Sequence, residues 1–311
     1  MTMKLGVSLP QTAPYDLRTD VVDAAKDLEA IGYDSLWVFE RLLFPQDQSG
    51  PHGVYGIPDL PWPDVYKSVA DPLVTLSAAA AVTQRVQLGT CVLLAPLYLP
   101  LRLATWLATL DAVSGGRVLA GLGTGWSIDE YEATSPRPFE QRGAALDEFL
   151  DVAEAVWKPD PVAFQNPRYT IAPAAVSPKP AGTVPILLPA SNPKTFDRVA
   201  RRAAGWLPLG LSPEQIGTTF QMLRKEAAGY GRDPQSLSCI VQIGVENFEE
   251  VPAKNRRPYT GSMAQIIEDI AALAKAGVEH VFLTIPYTSS GQTEFLDMSA
   301  AFYTEARMAG I

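Results

Sequence analysis

Leu119-Ala-Gly-Leu-Gly-Thr-Gly-Trp-Ser-Ile-Asp-Glu-Tyr131 is an apolar run that ends in three alternate glycines, Gly121, Gly123 and Gly125, and delivers Trp126 to a loop before a helix. Glycine at a strand end lets another group approach the backbone closely, because no Cβ intervenes. The segment therefore reads as a strand end that faces a flat ligand. A dinucleotide-binding fingerprint would need G-x-G-x-x-G; here the third glycine comes one residue early and no helix starts until well beyond it.

Outward from this segment, short apolar runs alternate with longer helical patterns. Eight runs are present, at residues 4–9, 35–39, 86–94, 118–123, 185–189, 205–208, 238–245 and 280–285. Each precedes a stretch with 3.6-residue periodicity, such as Val21, Ala25, Leu28 and Ile31, or Ile266, Ile270, Leu273 and Ala274. Ser212 to Gln215 and Ser262 to Gln265 have the spacing of capping boxes, and Gly32 and Gly277 sit where helices end. Alternating strands and helices with nearly continuous apolar strands imply an α/β fold with a parallel sheet. Eight units over 311 residues point to a closed (β/α)8 TIM barrel, with an open doubly wound sheet as the competing arrangement.

Two long insertions interrupt the rhythm, one after strand 2 (residues 41–70) and one before strand 5 (residues 158–183). The first is rich in proline and glycine and carries Tyr55, Trp62 and Tyr66, so it reads as an ordered lid whose aromatics line a substrate mouth or pin the loop down. The second carries Phe164 and Tyr169 and reads as a packed excursion. Neither resembles a linker, so residues 1–311 are expected to form one barrel domain.

A formal charge of −9 provides no basic stripe, which argues against nucleic acid or an anionic membrane as partner and favours a small-molecule substrate. Cys91 and Cys239 are the only cysteines and no signal peptide pattern precedes the first strand, so a reduced, cytoplasmic protein is expected. The two histidines, His52 and His280, lie far apart, without the spacing of a metal site, so no metal is expected.

In a barrel, chemistry belongs at the carboxyl ends of the strands. That places Gln11, Glu40, Arg41, Cys91, Val92, Thr124, Gly125, Trp126, Ala190, Ser191, Asn192, the segment 242–246 and Tyr287 on one face. After the fifth strand, Asn192 is a natural N-cap and Pro193 a natural first helical residue. The amides of Lys194 and Thr195 would then face an anion, although an ordinary capped helix needs nothing more.

The stretches Gly32-Tyr-Asp-Ser-Leu-Trp37, Arg85-Val-Gln-Leu-Gly-Thr90, residues 103–117 and Gly121-Leu-Gly-Thr-Gly-Trp126 resemble the luciferase-like monooxygenase superfamily, most closely its actinobacterial branch of oxidoreductases that use the deazaflavin coenzyme F420. The likeness implies a barrel, expected as a homodimer, with the cofactor at the carboxyl ends of the strands. It also implies a non-prolyl cis peptide at Cys91 and Val92 against which the ring lies; without the likeness, Cys91 reads equally well as a small core residue. Cofactor contacts are then implied at Glu40, Cys91, Val92, Thr124, Gly125, Ala190, Ser191, Asn192, Lys194 and Thr195, and substrate contacts at Gln11, Arg41, Trp126 and Tyr287. Glu40 is the candidate proton donor or acceptor, if buried; a solvated Glu40 and Arg41 pair is the alternative. Relatives often have histidine where Arg41 stands, a glycine pair where Ser191 and Asn192 stand, and in some dehydrogenases an acid where Trp126 stands.

Three functions follow as expectations: F420-dependent hydride transfer between deazaflavin C5 and a small organic substrate; an FMN-dependent luciferase-like monooxygenase; and a non-catalytic barrel that only binds.

Overall fold

The computed structural model describes residues 2–311. Its principal strands are β1 (Lys4–Ser8), β2 (Ser35–Val38), β3 (Gln87–Thr90), β4 (Val118–Gly123), β5 (Ile186–Leu188), β6 (Gly205–Trp206), β7 (Ser238–Ile243) and β8 (His280–Leu283). Every strand pairs in parallel with its sequence neighbours, and β1 pairs with β8, so the sheet closes on itself. This is the (β/α)8 barrel expected from the sequence. The strands are apolar and nearly all buried because a barrel hides both faces of its sheet, one against the interior and one against the helices.

The helices are α1 (Asp20–Ile31), α2 (Pro72–Val82), α3 (Pro100–Ser114), α4 (Ile128–Thr134), α5 (Arg142–Val156), α6 (Pro193–Arg202), α7 (Pro213–Gly229), α8 (Met263–Lys275) and α9 (Gln292–Met308). Capping boxes at Ser212 with Gln215 and at Ser262 with Gln265 start α7 and α8. Val21, Ala25 and Leu28 of α1 and Ile266, Ile270 and Leu273 of α8 face the strands. Inside the barrel a separate cluster of Trp37, Leu119, Leu187, Leu207, Ile240 and Phe282 fills the lumen, with Trp37 and Phe282 stacked at 4.4 Å. His280 lies buried at the start of β8, with Nε2 2.7 Å from Ser35 Oγ, at the end of the barrel away from the strand termini.

Residues 41–70 form three short 3-10 turns, Gly50–His52, Val54–Gly56 and Asp64–Lys67. Val54, in the second turn, and Trp62, between the second and third, are buried. The second insertion differs from a mere excursion: Val162–Gln165 and Thr170–Ala174 pair as an antiparallel hairpin. Prolines at 161, 167 and 173 obscure its alternation in the sequence. Among the described residues, no helix is long and apolar enough to cross a membrane, and no cluster of three or more His, Cys, Asp or Glu side chains could hold a metal ion.

The glycines of β4 serve a purpose beyond the one the sequence suggests. A Cβ on Gly121 would run into the carbonyl oxygen of Thr90, and one on Gly123 would meet the side chain of Val92. Thr90 Oγ1 donates to the carbonyl of Gly121 at 2.7 Å, and Leu93–Leu94 continues beside Leu122 and Gly123. These two glycines make room for the chain that bulges out of β3, and Gly123 also borders the cavity. Gly121→Ala is expected to destabilise the protein by about 3 kcal/mol, since the clash is with backbone that cannot rotate away. Chemical denaturation checks this, and a variant within about 0.5 kcal/mol of the parent contradicts it.

Candidate active site

At the carboxyl ends of the strands lies a cavity of about 820 Å³. Leu207, from the interior cluster, belongs to its lining, as do Cys91, Val92 and Leu94 after β3 and Gly123, Thr124 and Gly125 after β4. The peptide between Cys91 and Val92 is cis. Phe39, Glu40, Arg41, Tyr55, Tyr66 and Trp126 also line it, as do Gln242, Glu246, Arg257, Tyr259, Thr284 and Tyr287.

Glu40 is 1% exposed, so the solvated-pair alternative does not hold. One carboxylate oxygen accepts the Leu94 amide at 2.5 Å, and the other accepts the Tyr98 hydroxyl. Burial pushes its pKa up to about 7, against the lowering effect of those two hydrogen bonds, and the nearby Glu130 and Asp71 charges raise it further. Each carboxylate oxygen has more than one acceptor position, so a bond on each leaves capacity for a further partner. Burial also raises Tyr98, which holds its proton toward Glu40.

Arg41 is held in a cage. Its guanidinium lies 2.8 Å from Glu130 on α4, and its centre sits 4.6 Å from the Trp126 ring, 5.6 Å from Tyr66 and 5.9 Å from Trp62. Trp62 meets Trp126 edge-on at 4.6 Å, and Tyr55 meets it at 5.3 Å. The other oxygen of Glu130 accepts the Leu42 amide at 2.8 Å. Burial raises the Glu130 carboxyl, opposed by Arg41 and by the Leu42 and Leu43 amides. His52 Nδ1, 3.0 Å from Asp129, adds a second tie between lid and α4. Arg41 and Trp126 thus line the cavity as expected, with the guanidinium already engaged.

The remaining expected residues divide. Tyr287 lines the cavity and packs edge-on against Phe39 at 5.4 Å. Gln11 does not line it: fully buried, its amide donates to the carbonyls of Phe39 (2.8 Å) and Ala70 (3.0 Å) and accepts the Phe39 amide (2.7 Å). All its polar atoms are used to tie the end of β2 to both ends of the lid, so its reading as a substrate contact is replaced by a positioning one. Ala190, Ser191, Asn192, Lys194 and Thr195 follow Pro189, which belongs to the lining, but lie outside it themselves. Asn192 caps α6 as expected, with a box in which Asn192 Oδ1 accepts the Thr195 amide at 3.2 Å. Thr195 Oγ1 accepts the amides of both Ser191 and Asn192 at 3.1 Å. The Thr195 amide is therefore engaged within the turn rather than free for an anion, and Lys194 beside it is an exposed residue. Arg142 stacks on Phe139 at 4.0 Å and donates to its carbonyl.

Glu130, Tyr98, Gln242, Glu246 and Arg257 were not singled out individually from the sequence, apart from the 242–246 strand end. Glu130 stands in the opening segment but reads there as an ordinary acidic first turn. Its pairing with Arg41 spans 89 residues, which no local spacing can signal.

Residues 3–246 match the family described as luciferase-like monooxygenase. The chain belongs to this family. An uncharacterised protein of Mycobacterium tuberculosis is 34% identical over 225 residues, covering 72% of this chain and 78% of that one. An F420-dependent glucose-6-phosphate dehydrogenase of Kineococcus radiotolerans is 30% identical over 258 residues, covering 81% of this chain and 70% of that one. Among solved structures, an F420-dependent secondary alcohol dehydrogenase in complex with an F420-acetone adduct superposes with a TM-score of 0.76 at 19% identity over 100% of both chains. A long-chain alkane monooxygenase gives 0.76 at 15% identity over 100% of this chain and 92% of that one. At these identities the structures attest the shared fold.

Glu40 also sets a pH dependence of stability. Its folded pKa lies above its ordinary value of 4.5, so its contribution is fully present below pH 4.5 and is lost as pH rises through about 7. The loss is on the order of 3 kcal/mol. Urea midpoints at pH 5 and pH 8 are expected to differ less in Glu40→Gln than in the parent; equal differences contradict the burial of an ionisable Glu40.

Proposed function

We propose that the protein is an F420-dependent oxidoreductase that exchanges a hydride with a small organic substrate. The observation that carries this reading is the convergence, on one cavity at the carboxyl end of the barrel, of the Cys91 and Val92 bulge, the Thr124 and Gly125 strand end and a buried Glu40. Membership of the luciferase-like family and the F420-dependent dehydrogenase among the relatives support it.

The residues present fit such a cofactor. The cavity has the volume of a typical ligand site and an apolar wall of Val92, Leu94, Leu207 and Pro208 for a flat ring. Thr124 and Gly125 would bind the ring's polar edge, and the exposed residue Lys194 at the start of α6 would bind the phosphate through its amide and side chain. Arg257, exposed at the rim, would meet an acidic tail. When bound, the deazaflavin would give or take a hydride at C5, so an alcohol carbon losing hydride also sheds its hydroxyl proton, and a carbonyl being reduced gains both.

The chain's own part is to hold the reactants and manage that proton. Glu40, with a pKa of about 7, exchanges a proton near neutrality at its carboxyl oxygens, backed by Tyr98. The lid residues Tyr55, Trp62 and Tyr66, tied to α4 by Arg41, keep water from the substrate side.

Parallel calorimetric titrations with F420 and FMN, each oxidised and reduced, test the reading. Selective binding of F420 at micromolar concentration is expected. Selective binding of FMN would replace the proposal with a flavin monooxygenase, and binding of neither would leave a barrel without redox chemistry.

A further inference from the structure

We propose, resting on the reading of the site above, that the substrate is an uncharged, largely apolar organic molecule, and that phosphorylated or carboxylated molecules are excluded from the substrate side of the cavity. Among the described residues two cations line the cavity, Arg41 and Arg257. Each already holds a carboxylate.

Arg41 is the deep one. Its side chain is 7% exposed and Glu130 1% exposed. An entering anion would have to draw Arg41 from Glu130, leaving a buried carboxylate without its countercharge, which is strongly unfavourable. The guanidinium is further restrained by Trp126, Tyr66 and Trp62, and Glu130 by the Leu42 amide. The Arg41 and Glu130 pair therefore presents no net charge to a substrate. Glu40, whose hydrogen-bond partners Leu94 and Tyr98 are neutral, would add repulsion toward any anion once ionised.

Arg257 differs. It reaches both oxygens of Glu246 at 2.6 and 2.8 Å, with side chains 71% and 58% exposed. Exposed pairs are weak, so Arg257 can turn to an anionic cofactor tail at the mouth, but it stands in solvent rather than in the depth of the cavity. Apart from Glu40, what remains toward the substrate is neutral: the Gln242 amide and the rings of Tyr55, Tyr66, Trp126 and Tyr287. Burial keeps the Tyr66 and Tyr287 hydroxyls protonated. Such a wall suits a ring or branched hydrocarbon bearing one hydroxyl or carbonyl. Glucose 6-phosphate, the sugar in the name of one relative, brings a phosphate of about −1.5 to −2 charge at neutral pH. The deep cavity offers no free cation to receive it.

Calorimetry with acetophenone, its near-isosteric anion benzoate, and glucose 6-phosphate tests the inference on the full chain, both alone and saturated with F420. Acetophenone is expected to bind at least about tenfold more tightly than benzoate, the factor a modest uncompensated charge burial produces, with no heat from glucose 6-phosphate. In folded Glu130→Gln, which frees the Arg41 charge, the benzoate-to-acetophenone affinity ratio is expected to rise at least about threefold. Benzoate or glucose 6-phosphate binding as tightly as acetophenone, silence from all three probes, or an unchanged ratio in the folded variant overturns the inference. F420 binding is read separately in the same titrations: its failure with the neutral preference intact sinks the cofactor reading and leaves this one standing.

Discussion

The site depends on a carboxyl group removed from water. Glu40, at the end of β2, grips the amide of Leu94 and the hydroxyl of Tyr98, and so holds the chain that bulges from β3 against the glycines of β4. With a Cβ at position 121 or 123 the bulge would have nowhere to lie; without Glu40 the Leu94 amide is buried without that partner. Burying a hydrogen-bonded acid is tolerable because its neutral form is available near pH 7, and the same burial places its titration where the proposed proton exchange would need it. One interaction thus serves packing and chemistry together.

A second charged group is treated in the opposite way. Arg41 follows Glu40 in the chain, yet its charge is cancelled by Glu130 and covered by aromatic rings. The pair fastens the lid to α4, and Gln11 fastens the lid's two ends to the end of β2. The lid is therefore a fixed wall of the cavity, built from proline-rich turns with Val54 and Trp62 buried beneath it. What the wall offers a substrate is shape and aromatic surface more than charge.

Much of the fold was legible because barrel strands are buried on both faces and so appear as apolar runs, and because helix caps leave local signatures, as at Ser212, Ser262 and Asn192. Glu40, Arg41, Trp126 and Tyr287 could be placed at the cavity because they fall just after strands or in the loops that follow them. The failures have one physical cause. Gln11 stands equally close to a strand end, but its partners Phe39 and Ala70 lie 28 and 59 residues away, and those bonds turn it inward. Glu130 and Tyr98 act on residues 89 and 58 positions distant. The second role of the glycines of β4, accommodating the bulge, was hidden because that bulge comes from another strand. Local pattern reveals elements and their ends; which side chains close on one another is decided by the barrel.

The cavity bounded by Glu40, the Cys91 and Val92 bulge and Trp126 is the proposed deazaflavin site. A crystal structure of the protein grown with F420 tests it most directly. The account predicts density for the ring in that cavity, beside Cys91, Val92, Thr124 and Gly125, with the phosphate toward Lys194. Density for F420 at another surface, or an empty cavity at saturating F420, would contradict it.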